Sequence, residues 1–182
     1  MNLSRFFFFL GTVFFLLFAQ TFYEQHVPQN VSFNATEINA ALEGTEEAGT
    51  EASTTPSGLI IPSINVWLPL LVTDIKDGQW VTTKKGVSYL SNGVLPGETG
   101  NIVMYGHNWA NLLGNLSKVK PGDTITLVTR TGVEEQYTVS TVQEVAPNDT
   151  SVLSQTTDKR ITIYTCIGFL DSMRLVVVAN QV

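Results

Sequence analysis

From Gly58 to Val182 the chain is a series of short runs rich in Val, Ile, Thr and Tyr, each broken by Gly, Pro, Asn or Asp. No window of about 12 residues sustains a 3.6-residue apolar period there. That pattern predicts an all-β fold. The candidate strands are Ile64–Trp67, Leu70–Asp74, Gln79–Thr82, Ile102–Tyr105, Thr124–Arg130, Glu135–Val145, Ile161–Cys166 and Arg174–Ala179, eight in all. So many strands in one small domain predict a closed or nearly closed barrel, because closure removes exposed edges.

Alternation supports the later strands: Ile125 and Leu127 share one face, with Thr124, Thr126 and Val128 on the other. Thr131-Gly132-Val133 supplies a turn. Along Glu135–Val145 the apolar phase shifts between Tyr137/Val139 and Val142, which predicts a bulge or bend. Short helices are expected only at Trp109–Leu116 and Asn148–Leu153, the second capped by Pro147-Asn148-Asp149.

The residues before this domain follow different physics. Phe6–Phe22 is a run of seventeen residues without a charge, preceded by Arg5. As a helix it would span about 26 Å, close to the hydrocarbon thickness of a bilayer. The positive flank places the N-terminus in the cytoplasm and the rest outside. A cleaved signal peptide shares the charged start and apolar run, but the best small-residue pair for cleavage is Ala19 and Thr21. An uncleaved anchor over residues 1–22 is therefore the expectation. Residues 23–57 carry six Glu and no Lys or Arg, which predicts a disordered acidic linker. Residues 58–182 hold ten acids and nine bases, so the domain is nearly neutral and the overall net charge of −6 belongs to the linker.

Composition excludes several classes. One Cys cannot form an internal disulfide, and one Cys with two His falls short of the four ligands of a structural zinc site. A net acidic chain without a basic run argues against nucleic acid as a partner. Four Asn-x-Ser/Thr matches, at Asn30, Asn34, Asn115 and Asn148, are of the kind exposed Asn/Thr-rich chain produces by chance.

The chemistry-bearing residues gather at predicted strand ends. Cys166 closes ITIYTC, and a seven-residue loop leads to Arg174 at the start of RLVVVA. If those strands pair, thiol and guanidinium meet, and the cation would favour a thiolate and later an oxyanion. His107 follows the apolar run NIVMYG, and an imidazole can protonate an amine leaving group. The pattern alone leaves each with a bland reading: a lone strand Cys is usually a small buried hydrophobe, a lone His a hydrogen-bonded surface group, and Asp171 could salt-bridge Arg174 locally.

At these residues the sequence resembles the sortases, membrane-anchored cysteine transpeptidases. Ile161–Cys166 resembles their T-L-x-T-C signature, with Ile163 in place of Leu. Leu95-Pro96 and Gly97–His107 resemble their L-P-G-x-x-G-N-x-x-x-x-G-H segment, and Arg174 matches their arginine. Lys120–Asp123 and Ile61–Leu70 resemble further landmarks, so the resemblance covers roughly residues 60–180. It implies a sortase-type eight-stranded β-barrel with one or two short helices. It further implies Cys166 as nucleophile, His107 as general acid and base, Arg174 at the oxyanion or substrate, and Thr165 assisting at the oxyanion. The substrate would be an LPxTG-like sorting signal of a secreted surface protein, and the acceptor an amine such as a cell-wall precursor or a pilin lysine. The enzyme would then sit in the cell membrane with its catalytic domain outside. No cofactor is expected; Glu98, Asp123 and Glu134 are the acids available were calcium bound, and solvated surface carboxylates are the simpler reading.

Two departures are visible. Asn108-Trp109 after the histidine does not match the commonest continuation, and no Asp-Pro-aromatic lid motif precedes the domain. An L,D-transpeptidase is disfavoured by Ile-Tyr-Thr-Cys where Ser-x-Gly-Cys would stand, and a papain-like peptidase by the order His before Cys. A tethered barrel that only binds a ligand, with Cys166 inert, is the rival from another class.

Overall fold

The structure, a computed structural model, describes residues 3–26, 54–73, 75–76, 79–80, 82–90 and 93–182. The linker expected over 23–57 lies, from 27 to 53, outside the described residues. Helix α1 covers Leu3–His26, and every side chain from Arg5 to Phe18 is exposed on it. Among the described residues no helix is long and apolar enough to cross a membrane.

Among the described residues ten strands follow: β1 (Pro56–Ile61), β2 (Val66–Thr73), β3 (Ile75–Lys76), β4 (Gln79–Trp80), β5 (Val87–Leu90), β6 (Gly100–Gly106), β7 (Thr124–Thr129), β8 (Glu134–Val145), β9 (Lys159–Ile167) and β10 (Met173–Gln181). Eight of them close into a barrel in the order β1-β2-β5-β6-β9-β10-β8-β7, with β3 and β4 forming a separate two-stranded sheet. The barrel expectation is met, although its strands are not all those the pattern indicated. Ile64 sits in a 3-10 turn, and the two runs read on either side of Pro69 are one strand, β2. The Gln79–Thr82 run contributes, through Gln79 and Trp80, to the separate two-stranded sheet.

Two barrel strands, β1 and β5, had no sequence counterpart. β1 begins at Pro56, so Pro56 and Ser57 belong to the domain rather than to the linker. Both are buried, and Ser57 Oγ donates to Val128 O at 3.1 Å. The two expected helices are turns, with 3-10 geometry only at Leu116–Lys118 and Ser151–Leu153. Asp149, not Asn148, organises the second: its Oδ1 accepts from Ser151 N and Oγ.

The barrel interior is filled by alternate residues of each strand. Leu59, Ile61, Leu70, Ile102, Met104, Ile125, Leu127, Ile161, Ile163 and Val177 are all at most 1% exposed. Each such side chain contributes about 1.5–3 kcal/mol through burial. The expected bulge in β8 is present: Val178 pairs with Thr141 and Ala179 with Val139, leaving Ser140 as the extra residue. Gly132 takes φ 81° in the β7–β8 turn, a left-handed conformation that Gly adopts without a Cβ penalty.

Strands β6 and β9 run parallel and side by side, from Gly100 opposite Lys159 to Gly106 opposite Thr165. β6 is buried along its whole length, as a strand covered on both faces must be. Its outer cover includes the segment between β8 and β9. Asn101 Nδ2 donates to Val152 O and Ser154 O, Asn101 N to Gln155 Oε1, and Asn101 Oδ1 accepts from Thr162. One buried amide thus clips residues 152–155 onto the barrel, as a satisfied buried polar group should.

Candidate active site

The parallel pair β6–β9 ends with Thr165 Oγ1 donating to Gly106 O at 2.8 Å. The chain leaves β6 at His107 from that fixed point, while β9 continues through Cys166 to Ile167. Across the antiparallel pair β9–β10, Cys166 lies directly opposite Arg174. Histidine, cysteine and arginine, separated by up to 67 positions, are therefore brought to one end of three neighbouring strands.

Alternation decides which way each residue faces. Ile161, Ile163 and Thr165 point into the barrel, and Thr162, Tyr164 and Cys166 point out. Thr165 is 1% exposed and its hydroxyl is committed to the Gly106 carbonyl. That hydroxyl pins His107's strand to Cys166's strand.

Cys166 is half-buried, and its thiol is pushed above its ordinary range chiefly by that burial. Arg174 pulls it down and Asp171 pushes it up. His107 is held below the usual imidazole value, first by burial and then by Lys84, with Asp171 acting in the opposite sense. Both groups feel the charge of the Asp171 carboxylate. At neutral pH the resting pair is consequently thiol and neutral imidazole.

Arg174 is fixed by the loop it opposes. Its Nη1 donates to Asp171 O at 2.7 Å and to Met173 O at 2.9 Å. The local salt bridge considered for Asp171 is thus a bond to its backbone carbonyl. Tyr164, two residues before Cys166 on the same face, also hydrogen-bonds to Arg174, and burial keeps its phenol above the ordinary value. Between Cys166 and Arg174 the loop is tightly wound: Leu170 and Asp171 have φ of 52° and 58°, unusual for non-glycine residues, and Phe169 and Leu170 are left exposed.

The acids named for calcium are used elsewhere or isolated. Glu98 Oε2 accepts from Leu95 N, and Asp123 Oδ2 from Lys120 N and Ser63 Oγ. Among the described residues no three His, Cys, Asp or Glu cluster as a metal site would require.

The arrangement can hold a thiolate against a guanidinium with an imidazole alongside, which is the equipment for acyl transfer through a thioester. The Sortase domain family profile matches residues 59–182. The chain belongs to the sortase family. Sortase A of Bacillus anthracis is 29% identical over 124 residues, 66% of this chain and 56% of that protein, so the chain spans little more than half of that relative. The solved Sortase A lid mutant of Corynebacterium diphtheriae is 31% identical, covers 70% of both chains and superposes with a TM-score of 0.61. A Clostridium perfringens Sortase D5 transpeptidase shares the fold at a TM-score of 0.61, covering 83% of this chain and 90% of its own at 24% identity.

The sequence pointed to His107, Cys166 and Arg174, which the strand pairing brings to one end of the barrel, but not to three residues around them. Asp171 was read only as a partner for Arg174. Lys84 carried no signal, because its approach depends on the unforeseen strand β5. Trp109 was visible as the departure after the histidine, and its ring lies stacked on His107.

Proposed function

We propose that this sortase is a cysteine transpeptidase that cleaves an LPxTG-like sorting signal and transfers the protein to an amine acceptor at the outer surface of the cell membrane. The observation that carries the reading is the register placing Cys166 opposite Arg174, with His107 following the residue paired to Thr165. In the first half-reaction the Cys166 thiolate attacks the peptide carbonyl carbon, and Arg174 balances the oxyanion. The C–N bond then breaks, and the leaving amine takes a proton from the His107 imidazolium. In the second, neutral His107 accepts a proton from the incoming amine as it attacks the thioester, and the thiolate is released. Residues 6–22 would tie the domain to the bilayer, a reading supported by seventeen uncharged residues, of which Phe6 to Phe18 are exposed on α1.

The test incubates the full chain with peptides varied at each position of LPxTG plus a glycine-based amine. Mass spectrometry should find a thioester on Cys166 and an exchanged peptide. Hydrolysis without exchange would point instead to a peptidase, and a folded protein giving neither product would favour the binding-module reading.

The resting protonation states set a pH signature. With His107 lowered and Cys166 raised, the reactive thiolate–imidazolium form is a minority whose abundance depends on the gap between the two values. Activity should be bell-shaped, its acid limb set by His107 and its alkaline limb by Cys166. Lys84 lowers His107 alone. Lys84→Gln should therefore move the acid limb to higher pH and raise the plateau kcat/KM about two- to threefold. Asp171 raises both groups, so Asp171→Asn should shift both limbs to lower pH with little change in plateau. A pH–rate profile in which Lys84→Gln leaves the acid limb in place would contradict the assignment of that limb to His107.

A further inference from the structure

The residues after His107 do not form a helix but a turn whose hydrogen bonds converge on the histidine and on Trp109. Leu113 N donates to His107 O at 3.2 Å, while Leu112 N and Gly114 N donate to Trp109 O at 2.9 and 2.8 Å. Gly114 is required there, since a Cβ at that position would lie 2.6 Å from Trp109 O. The turn thus fixes the Trp109 backbone from the C-terminal side. Its indole, partly buried, packs against the barrel core. The result is a ring held on both counts, and the His107 imidazole lies parallel to it: centroids are 4.3 Å apart with 7° between planes. Lys84 Nζ is 5.9 Å from the same indole centroid.

We propose that Trp109 is a positioning residue for His107, its flat face fixing the plane of the imidazole so that the ring edge carrying the nitrogens is presented along the site toward Cys166 and the reacting amine. The inference rests on the transpeptidase reading above for its catalytic half and on the stacking geometry alone for its structural half. A histidine on a strand end, with no regular element after it, has free rotation about its side-chain bonds unless something covers a face of the ring. Proton transfer needs the nitrogen within hydrogen-bond reach of the leaving amine in every turnover, so a misaligned ring lowers kcat rather than substrate affinity.

The test compares Trp109→Ala, Trp109→Leu and Trp109→Phe in the full chain. Leucine keeps an apolar side chain in the turn without a flat face, and phenylalanine keeps the face. Alanine and leucine should each lower kcat about tenfold with KM within about twofold, and phenylalanine should restore most of the loss. Leucine matching phenylalanine would reduce the role to packing and overturn the proposal. So would an alanine variant, folded by circular dichroism, that kept wild-type kcat.

A second readout needs no turnover. In a Cys166→Ala background, NMR of the His107 ring protons should show an upfield ring-current shift that disappears in the alanine and leucine variants and survives in phenylalanine. An unchanged shift in the alanine variant would refute the stacking itself. Loss of the shift in a protein that exchanges no peptide would instead retain the contact and remove the catalytic half together with the transpeptidase reading.

Discussion

Cys166→Ala should abolish thioester formation and amine exchange, a loss of about 10⁴-fold or more, while the far-ultraviolet circular dichroism stays that of the parent. The reasoning is chemical and structural at once. Cys166 is the only cysteine in the chain, so no second thiol can replace it. Its side chain faces outward and is half-buried, so the substitution removes one sulfur atom from a position the barrel interior does not use. The backbone register Cys166–Arg174 does not depend on the side chain. The melting temperature should therefore move by no more than a few degrees, which corresponds to about 1 kcal/mol. Cys166→Ser should be equally inactive, because a hydroxyl gains too little from Arg174 to ionise at neutral pH. Retained exchange in the alanine variant would place the nucleophile elsewhere. Inactivity accompanied by a collapse of the melting temperature would show that Cys166 is a packing residue.

Why the three residues could be read from sequence while their neighbours could not follows from what backbone pairing transmits. A residue at the end of a predicted strand is delivered wherever that strand ends. Cys166 and Arg174 were therefore legible as soon as ITIYTC and RLVVVA were taken to pair. Thr165 lies on the opposite face from Cys166, because strand alternation sends neighbouring side chains to opposite faces. That rule was available, and the buried Thr165–Gly106 bond is its consequence.

Other features had no local signature. β1 reads PSGLII, where proline and glycine mimic a linker, and only its pairing with β2 and β7 makes it a strand. β5 is four residues long and depends on a parallel partner about 17 positions away in the chain. The stack of Trp109 on His107 was hidden for a related reason. A helix was expected from Trp109, whereas the chain forms a turn in which Leu112 N and Gly114 N donate to Trp109 O and Leu113 N to His107 O, and in that turn the indole lies on the imidazole.

Arg174→Lys should lower kcat about 10²-fold with little change in melting temperature, and Arg174→Ala by about 10³-fold. A lysine preserves the charge, so the two variants separate two contributions. Arg174 currently donates through Nη1 to two loop carbonyls, those of Asp171 and Met173, and also bonds Tyr164. A guanidinium can hold such carbonyls with one nitrogen and present others to an oxyanion. An ammonium is a point donor on a flexible stem and must choose between them. The lysine variant should therefore keep the alkaline limb of the pH profile near its original place, because the positive charge beside Cys166 remains. It should lose turnover because the donor is no longer aimed. Alanine should lose both, with the alkaline limb moving to higher pH as burial and Asp171 act on the thiol unopposed. If lysine proved as active as arginine, charge alone would be the requirement, and the bonds that tie Arg174 to the loop would have no part in catalysis. If alanine left the alkaline limb unmoved, the guanidinium would not be acting on the Cys166 thiol at all.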